Sequence, residues 1–500
     1  MEHQFFLFIL LVIFIQGLVM LSQKIRVAYP IVLLLGGLAL CTVPGVPAIA
    51  IEPDYIFVIF LPPLLYEAAW YTSWKDLWRW RRIIGTFAFL MVIVTSLVVA
   101  WVSSSFLPGF TMALGFLLGG IVSPPDAVSA TSVLKYVKVP KRLSAIIEGE
   151  SLLNDASSLI VFRFALIAVD SGRFVFQEAA ISFAVVIVMG ITIGLAVAVI
   201  YYFLHKKLPT SANMDIVLTL TAPYVMYLTA EMFHFSGVLA VVSGGLFLSH
   251  RRHQFLSATS RLRGSTVWSA LAFVLNGLVF LLIGLEMPVI VRELGAVSIM
   301  SAIGYGVLIT AVLIVTRLAC TYFASVFTVF ISRFITTADP SPGWKGPLIF
   351  GWAGMRGVVS LAAALSIPLH FPQRNLILFI TFTVILLTLV VQGLTLPWLV
   401  NRLDMEDADH PAPPEQQDHA VRAQLAEVAI RHIDNHYGQE LPANAPLQQL
   451  RSRYVAEAEA GEMWKEGTMC CTGRRRWPCW KRSAGTCRRW RRVRSVQMTA

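Results

Sequence analysis

Apolar stretches of roughly 20 residues, the length an α-helix needs to cross about 30 Å of hydrocarbon, recur from Phe5 to Leu399 and limit what this chain can fold into. The chain is 56% hydrophobic and 14% charged, with a mean hydropathy of +0.69, whereas about 25% charged is ordinary for a soluble domain. Such a sequence belongs in a bilayer as an all-α polytopic membrane protein, and only its last hundred residues read as water-exposed. Thirteen spans are expected, at 4–21, 28–46, 54–71, 83–103, 110–134, 143–168, 175–203, 213–232, 235–250, 267–287, 297–331, 347–368 and 375–399. The opening MEHQFFLFILLVIFIQGLVMLSQKIR has neither a basic leading region nor a small-residue cleavage site, so it reads as a retained first span.

An odd number of spans puts the two ends on opposite sides, and the basic residues indicate which. Lys24 and Arg26 follow span one, Lys75, Arg79, Arg81 and Arg82 span three, and Lys135, Lys138, Lys141 and Arg142 span five. Lys206 and Lys207 follow span seven, Arg251, Arg252, Arg261 and Arg263 span nine, Arg333 and Lys345 span eleven, and Arg402 span thirteen. By the positive-inside rule the N-terminus lies outside and the C-terminus in the cytoplasm. Much of the formal charge of +11 thus sits where it orients a membrane protein, and it is not read as a nucleic-acid footprint. Cys41 and Cys320 lie in apolar surroundings, and Cys470, Cys471, Cys479 and Cys487 crowd the C-terminal end. That distribution fits neither a disulfide scaffold nor the paired spacing of a zinc site.

Two spans carry flaws. In span five, SPPD at Ser123 to Asp126 removes two backbone donors, and Pro124 disfavours helical geometry at Ser123, so an interruption is expected there. In span twelve, Gly351, Gly354 and Gly357 surround Arg356 and offer a second place to unwind or pack closely. The blocks of spans four to six and eleven to thirteen start seven spans apart, an odd offset that gives them opposite orientation. Inverted-topology blocks with interrupted helices are the physical pattern of a secondary transporter. The plainer alternative is that the prolines and glycines only kink packed helices.

Ionisable groups in hydrocarbon are expensive and mark an ion or proton path. Glu150, Ser151, Asn154 and Asp155 of span six occupy adjacent strips of one helix surface and offer carboxylate, hydroxyl and amide oxygens suited to a small cation. Asp155 can exchange a proton, and in dry surroundings protonation competes with cation binding. The alternative reading is a buried acid neutralised by a fixed arginine. Glu150 is expected to form a permanent ion pair with Arg317 of LIVTRLACTYF. Asp126 can meet the exposed amides of the broken helix or ligate an ion, and Arg356 compensates an acid or helix-end carbonyls. Glu67, in IFLPPLLYEAAWYTSW, is either an ion ligand at the cytoplasmic mouth or an interfacial acid.

These residues resemble the cation:proton antiporter-1 family of bacterial and eukaryotic sodium/proton exchangers. The resemblance covers roughly residues 5 to 400 and rests on GESLLNDASSLI, SPPDAV, FLPPLLYE and GWAGMRGVVSLA. It implies a thirteen-helix homodimer with two inverted blocks and crossed interrupted helices. A dimerisation part, about 1–82 and 204–296, would support an ion-transport core, about 83–203 and 297–400, that moves like an elevator, with 401–500 a cytoplasmic tail. Asp155 would be the ion- and proton-binding carboxylate, with Ser151 and Glu67 as co-ligands of transported sodium and Asn154 as site organiser. Glu150 would pair with Arg317, and Asp126 and Arg356 would stabilise the crossing. The Asn154–Asp155 pair matches the electroneutral branch, while Pro125 stands where many members have threonine.

The implied activity is secondary active sodium/proton antiport in a bacterial inner membrane. It needs no cofactor, its partners are lipid, protons and monovalent cations (Na⁺, with Li⁺ or K⁺ as alternatives), and nucleic acid is not among them. Potassium/proton exchange is the nearest alternative. A cation channel is the alternative of a different class, disfavoured because no repeated filter-like segment is present. An enzyme is disfavoured because no nucleophilic or metal constellation stands out.

Overall fold

The computed structural model describes residues 2–41, 53–137, 139–172, 176–292, 294, 297–334, 343–368, 370–403 and 414–465. Among them the regular structure is helical throughout. Helices α1 (Glu2–Ile25), α2 (Tyr29–Leu40) and α3 (Pro53–Tyr71) precede a long rod in which α4 (Trp74–Gly85) passes through a π-helical turn, Thr86–Met91, into α5 (Val92–Phe106). Two halves of one interrupted helix follow, α6 (Met112–Val122) and α7 (Ala127–Leu134), and then α8 (Lys141–Ser171) and α9 (Phe176–Lys207). Next come α10 (Ala212–Met232), α11 (Gly237–Phe255), α12 (Ala258–Arg292) and α13 (Ile299–Ile331). A second interrupted helix consists of α14 (Lys345–Trp352) and α15 (Val358–Leu365). After it, α16 (Arg374–Leu387) joins α17 (Gly393–Leu403) through another π-helical turn, Thr388–Gln392.

A helix, whole or interrupted, stands at each of the expected stretches. Among the described residues, seven rods are long and apolar enough to cross a membrane, including Trp74–Phe106, Met112–Leu134, Lys141–Ser171 and Arg374–Leu403. The chain is therefore an all-α multi-pass membrane protein. Its outward surface is apolar, with large side chains such as Met232, Met300 and Phe323 more than 70% exposed, as a lipid-facing wall requires. Backbones approach closely where small residues allow it, without help from a hydrophobic force that lipid does not supply. Gly115 and Gly119 of α6 lie against Ala100 and Ser96 of α5, and Gly37 of α2 lies against Gly284 of α12.

The interior divides into two apolar clusters, and α8 contributes to both: Ile146 and Ile147 to one, Leu152, Ala156 and Ile160 to the other. The helix with the GESLLNDASSLI motif thus runs along the seam between them. A π-helical turn disturbs the regular backbone ladder, and here Ser157 of α8 donates from its hydroxyl to the Ala88 carbonyl in the turn between α4 and α5.

The chain divides into two compact units, Met1–Glu406 and Asp407–Ala500. In the second, α18 (Pro414–Tyr437) pairs with α19 (Ala445–Lys465), and Arg451 of α19 donates to the Asp434 carboxylate of α18 at 2.7 and 3.0 Å. The cysteine-, arginine- and tryptophan-rich end from Cys470, and the acidic start of the tail at 404–413, lie outside the described residues.

Candidate ion site at the crossed helices

The first interruption follows from missing donors. Pro124 and Pro125 have no N–H for the carbonyls a turn earlier, and the N–H of Asp126 turns away to the Met355 carbonyl at 2.7 Å. One expectation needs correction. Ser123 keeps helical geometry (φ −72°, ψ −40°) despite the proline after it, and the helix opens only at Pro124. The Ser123 N–H still reaches the Gly119 carbonyl at 3.0 Å, and its hydroxyl serves the Gly120 carbonyl at 3.4 Å, the acceptor Pro124 leaves unused. These two hydrogen bonds offset the pre-proline preference for extended backbone.

The second interruption spans 354–357. A Cβ on Gly354 would run into the Arg317 side chain, and one on Gly357 into the Asp126 carboxylate. Both glycines are needed for close approach.

The two breaks meet, and each supplies what the other lacks. Arg356, only 2% exposed, donates from Nε to the Val122 carbonyl at 2.7 Å and from Nη1 to the Gly354 carbonyl. It thereby sets positive charge on the free carbonyls that end α6 and α14. Asp126 caps α7, accepting from the N–H groups of Val128 (3.1 Å) and Ser129 (3.2 Å) and from the Ser129 hydroxyl. Its carboxylate also lies against Gly357 at the start of α15, so one anion faces two helix N-termini. The Arg356 N–H donates to the Thr388 hydroxyl at 3.1 Å and ties the crossing to the second π-helical turn.

Helix α8 lies beside this crossing. The Ser151 hydroxyl accepts from the Ala127 N–H at 3.1 Å, so it is already engaged with the first break. Glu150 meets Arg317 of α13 through Nη1–Oε1 and Nη2–Oε2 hydrogen bonds of 2.8 Å each. Asn154 is wholly buried, and neither its amide oxygen nor its nitrogen finds a partner among the described residues. Asp155 is 8% exposed, and its carboxylate has no hydrogen bond or ion pair among them; the charge that acts on it is that of Asp126.

The structure thus brings Asp126, Ser151 and Arg356 to one crossing, Glu150 to Arg317, and Asp155 within electrostatic reach of Asp126. Glu67 is not joined to them by a hydrogen bond or ion pair among the described residues. It is partly buried on α3, and the charges acting on it are those of Glu148 and Lys135.

Several participants were not singled out from sequence. Ser129, three residues after the Asp126 cap, stands where capping chemistry places a partner and was in principle legible. Thr388 and Tyr29, the latter within electrostatic reach of both Asp126 and Glu67, carry no local signal. Glu231 accepts from the Gly237 N–H at 3.2 Å and from Arg163 at 2.6 and 2.7 Å. Away from the crossing, buried Asp215 bridges His205 Nδ1 (3.0 Å) and the Ser260 hydroxyl (2.7 Å).

Fold and site define a class: multi-pass all-α membrane proteins in which two interrupted helices meet beside a buried carboxylate that no arginine among the described residues neutralises. The profile of the transmembrane sodium/hydrogen exchanger family matches residues 8–402, and the chain belongs to that family. A sodium, potassium, lithium and rubidium/H⁺ antiporter of Bacillus pumilus is 32% identical over 390 residues, covering 74% of this chain and 57% of the relative. One of the same description from Bacillus subtilis is 33% identical over 367 residues, covering 70% and 54%. The chain spans little more than half the length of these two relatives. The structure of a sodium proton antiporter from Methanocaldococcus jannaschii shares the fold, with a TM-score of 0.61 at 18% identity over 81% of this chain and 99% of that one.

Proposed function

We propose that this protein is a secondary active antiporter that exchanges a monovalent cation, sodium first, for protons one for one. The observation that carries the reading is the isolation of Asp155. Glu150 and Arg317 neutralise each other, Asp126 is held by the N–H groups that open α7, and Arg356 is held by the carbonyls that end α6 and follow α14. Asp155 is left as the one acid of this region whose carboxylate has neither a hydrogen-bond donor nor a cation among the described residues, and one proton or one monovalent cation cancels its charge.

The cation would draw on the Asp155 carboxylate, the Asn154 amide oxygen and the Ser151 hydroxyl, all hard-oxygen donors. Protonation removes the charge that holds the cation, so the two ligands compete. If either loaded form reorients and the empty anion does not, opposite gradients couple without covalent chemistry. Glu67, set apart near Glu148 and Lys135, serves ion entry more naturally than direct ligation.

The architecture that goes with this reading has thirteen crossings and two inverted blocks. It is a homodimer built on about 1–82 and 204–296, with a moving core of about 83–203 and 297–400. The N-terminus is outside and the C-terminal tail cytoplasmic, in a bacterial inner membrane. Crossed half-helices and the alternation of basic loops support it. Potassium exchange is the second reading, favoured by the range of cations in the names of the two Bacillus relatives.

The test is reconstitution into sealed vesicles carrying a pH gradient, with Na⁺, Li⁺, K⁺ and Rb⁺ added separately. Cation-dependent collapse of the gradient is expected, strongest with Na⁺. Collapse by K⁺ alone would transfer the proposal to potassium, and current without proton movement would replace it with a channel.

A further inference from the structure

Helix α4 carries chemistry that the ion site does not use. In WKDLWRWRRIIG, Trp80 and Ile84 lie one turn apart and are buried, and Ile84 packs on Gly149 of α8. The other side is exposed and holds Trp74, Lys75, Trp78 and Arg81. Trp74 and Trp78 stack with centroids 6.1 Å apart, and the Arg81 guanidinium lies 4.5 Å above the Trp78 ring. The helix's acid, Asp76, falls about 200° round the axis from Trp74 at about 100° per residue, away from this face.

Depth follows from length. The rod Trp74–Phe106 has 33 residues, which at 1.5 Å per residue is about 50 Å, some 20 Å more than the hydrocarbon of a bilayer. Every charged residue of the rod lies in α4. The surplus length is therefore at the α4 end, which sits in the headgroup layer, where tryptophan and arginine are favoured. The neighbouring end of α11 adds cationic chemistry: His250 meets the Trp74 ring at 5.5 Å, and Arg251 follows it.

We infer that the exposed face of α4 binds the headgroups of anionic phospholipids in the leaflet where it lies. A guanidinium and an ammonium spaced along a helix match phosphate oxygens, the indole rings seat at the carbonyl level, and no acid on the face repels a negative headgroup. Because the opposite face rests on Gly149, next to Glu150, a lipid that holds α4 also steadies α8.

Native mass spectrometry of the full-length protein with phosphatidylglycerol or phosphatidylcholine tests the surface. Wild type is expected to retain phosphatidylglycerol preferentially. Lys75→Gln/Arg81→Gln should weaken that retention about 25-fold, since each basic residue at an anionic surface contributes about a factor of five. Lys24→Gln/Arg402→Gln, which removes two basic residues of the same leaflet away from the α4 face, should change it less than about twofold if retention comes from this face and not from the leaflet's general positive charge. Equal retention of the two lipids, loss of the same size in both variants, or no loss in either overturns the assignment. A second arm needs no variant: hydrogen exchange of wild type in nanodiscs should slow over residues 74–82 when phosphatidylglycerol replaces phosphatidylcholine. Unchanged exchange overturns it. So does protection in phosphatidylcholine that appears only when two chains share a disc, which would give the face to a second copy.

Discussion

Arg317 and Glu150 face each other through two parallel 2.8 Å hydrogen bonds, with both side chains at most 3% exposed. Helix α13 shows why the partner matters. Only 28% of its most apolar window is buried, so most of it faces outward, yet this one guanidinium turns inward to α8. Removing one member leaves the other charged and dry. Arg317→Ala and Glu150→Gln are each expected to destabilise the fold by about 3–5 kcal/mol, read as early melting in detergent and loss of the monodisperse peak. The exchanged pair Glu150→Arg/Arg317→Glu should recover assembly beyond either single variant.

Gly357 gives a narrower test of the crossing. A methyl group there displaces the Asp126 carboxylate, which caps α7 and neighbours Asp155. Gly357→Ala is expected to cost about 1–3 kcal/mol of stability and to slow exchange at least tenfold in vesicles. Gly304→Ala, where a Cβ meets nothing within 4 Å, should do neither.

The charge accounting at Asp155 also predicts electrical behaviour. With one exchangeable acid, a cation carried one way balances a proton carried the other, and no net charge moves. Exchange rates in proteoliposomes should not change when a valinomycin-imposed membrane potential is reversed. A rate that follows the potential would call for a second titrating group.

In the tail, hydrogen bonds from Arg451 hold Asp434 below its ordinary carboxylate range. Its folded pKa is depressed, so its contribution is present above the unfolded value of about 4 and is lost as pH falls through the folded value. Both side chains are exposed and the contribution is small. Exchange protection at the α18–α19 contact should stay constant from about pH 8 to 5 and fall only in stronger acid. Asp434→Asn should show the low-pH level throughout.

What could be read from sequence had a local physical cause. Consecutive prolines lack two donors whatever surrounds them, so the break at Pro124–Pro125 was visible. A lone arginine in LIVTRLACTYF needs an acid, which pointed to Glu150. The geometry that joins the halves was not legible, because the Asp126 N–H meets a carbonyl at Met355 that any residue would offer. Ser123 stayed helical through its own hydroxyl and N–H contacts, which a rule about the residue before proline does not contain. The π-helical turn at Thr86–Met91 depends on packing against Ser157, and nothing in TFAFLM announces it. The distance between Glu67 and Asp155 likewise depends on how α3 packs, since its position along the span allowed either role.

The most direct measurement is cation-driven proton movement by the Asp155→Asn variant in sealed vesicles, beside wild type reconstituted at equal density. The substitution keeps size and polarity but removes the charge and the exchangeable proton. The account predicts that this variant assembles, melts close to wild type and moves no protons in response to Na⁺, Li⁺, K⁺ or Rb⁺. Wild-type exchange by the folded variant would contradict it and shift the site away from α8.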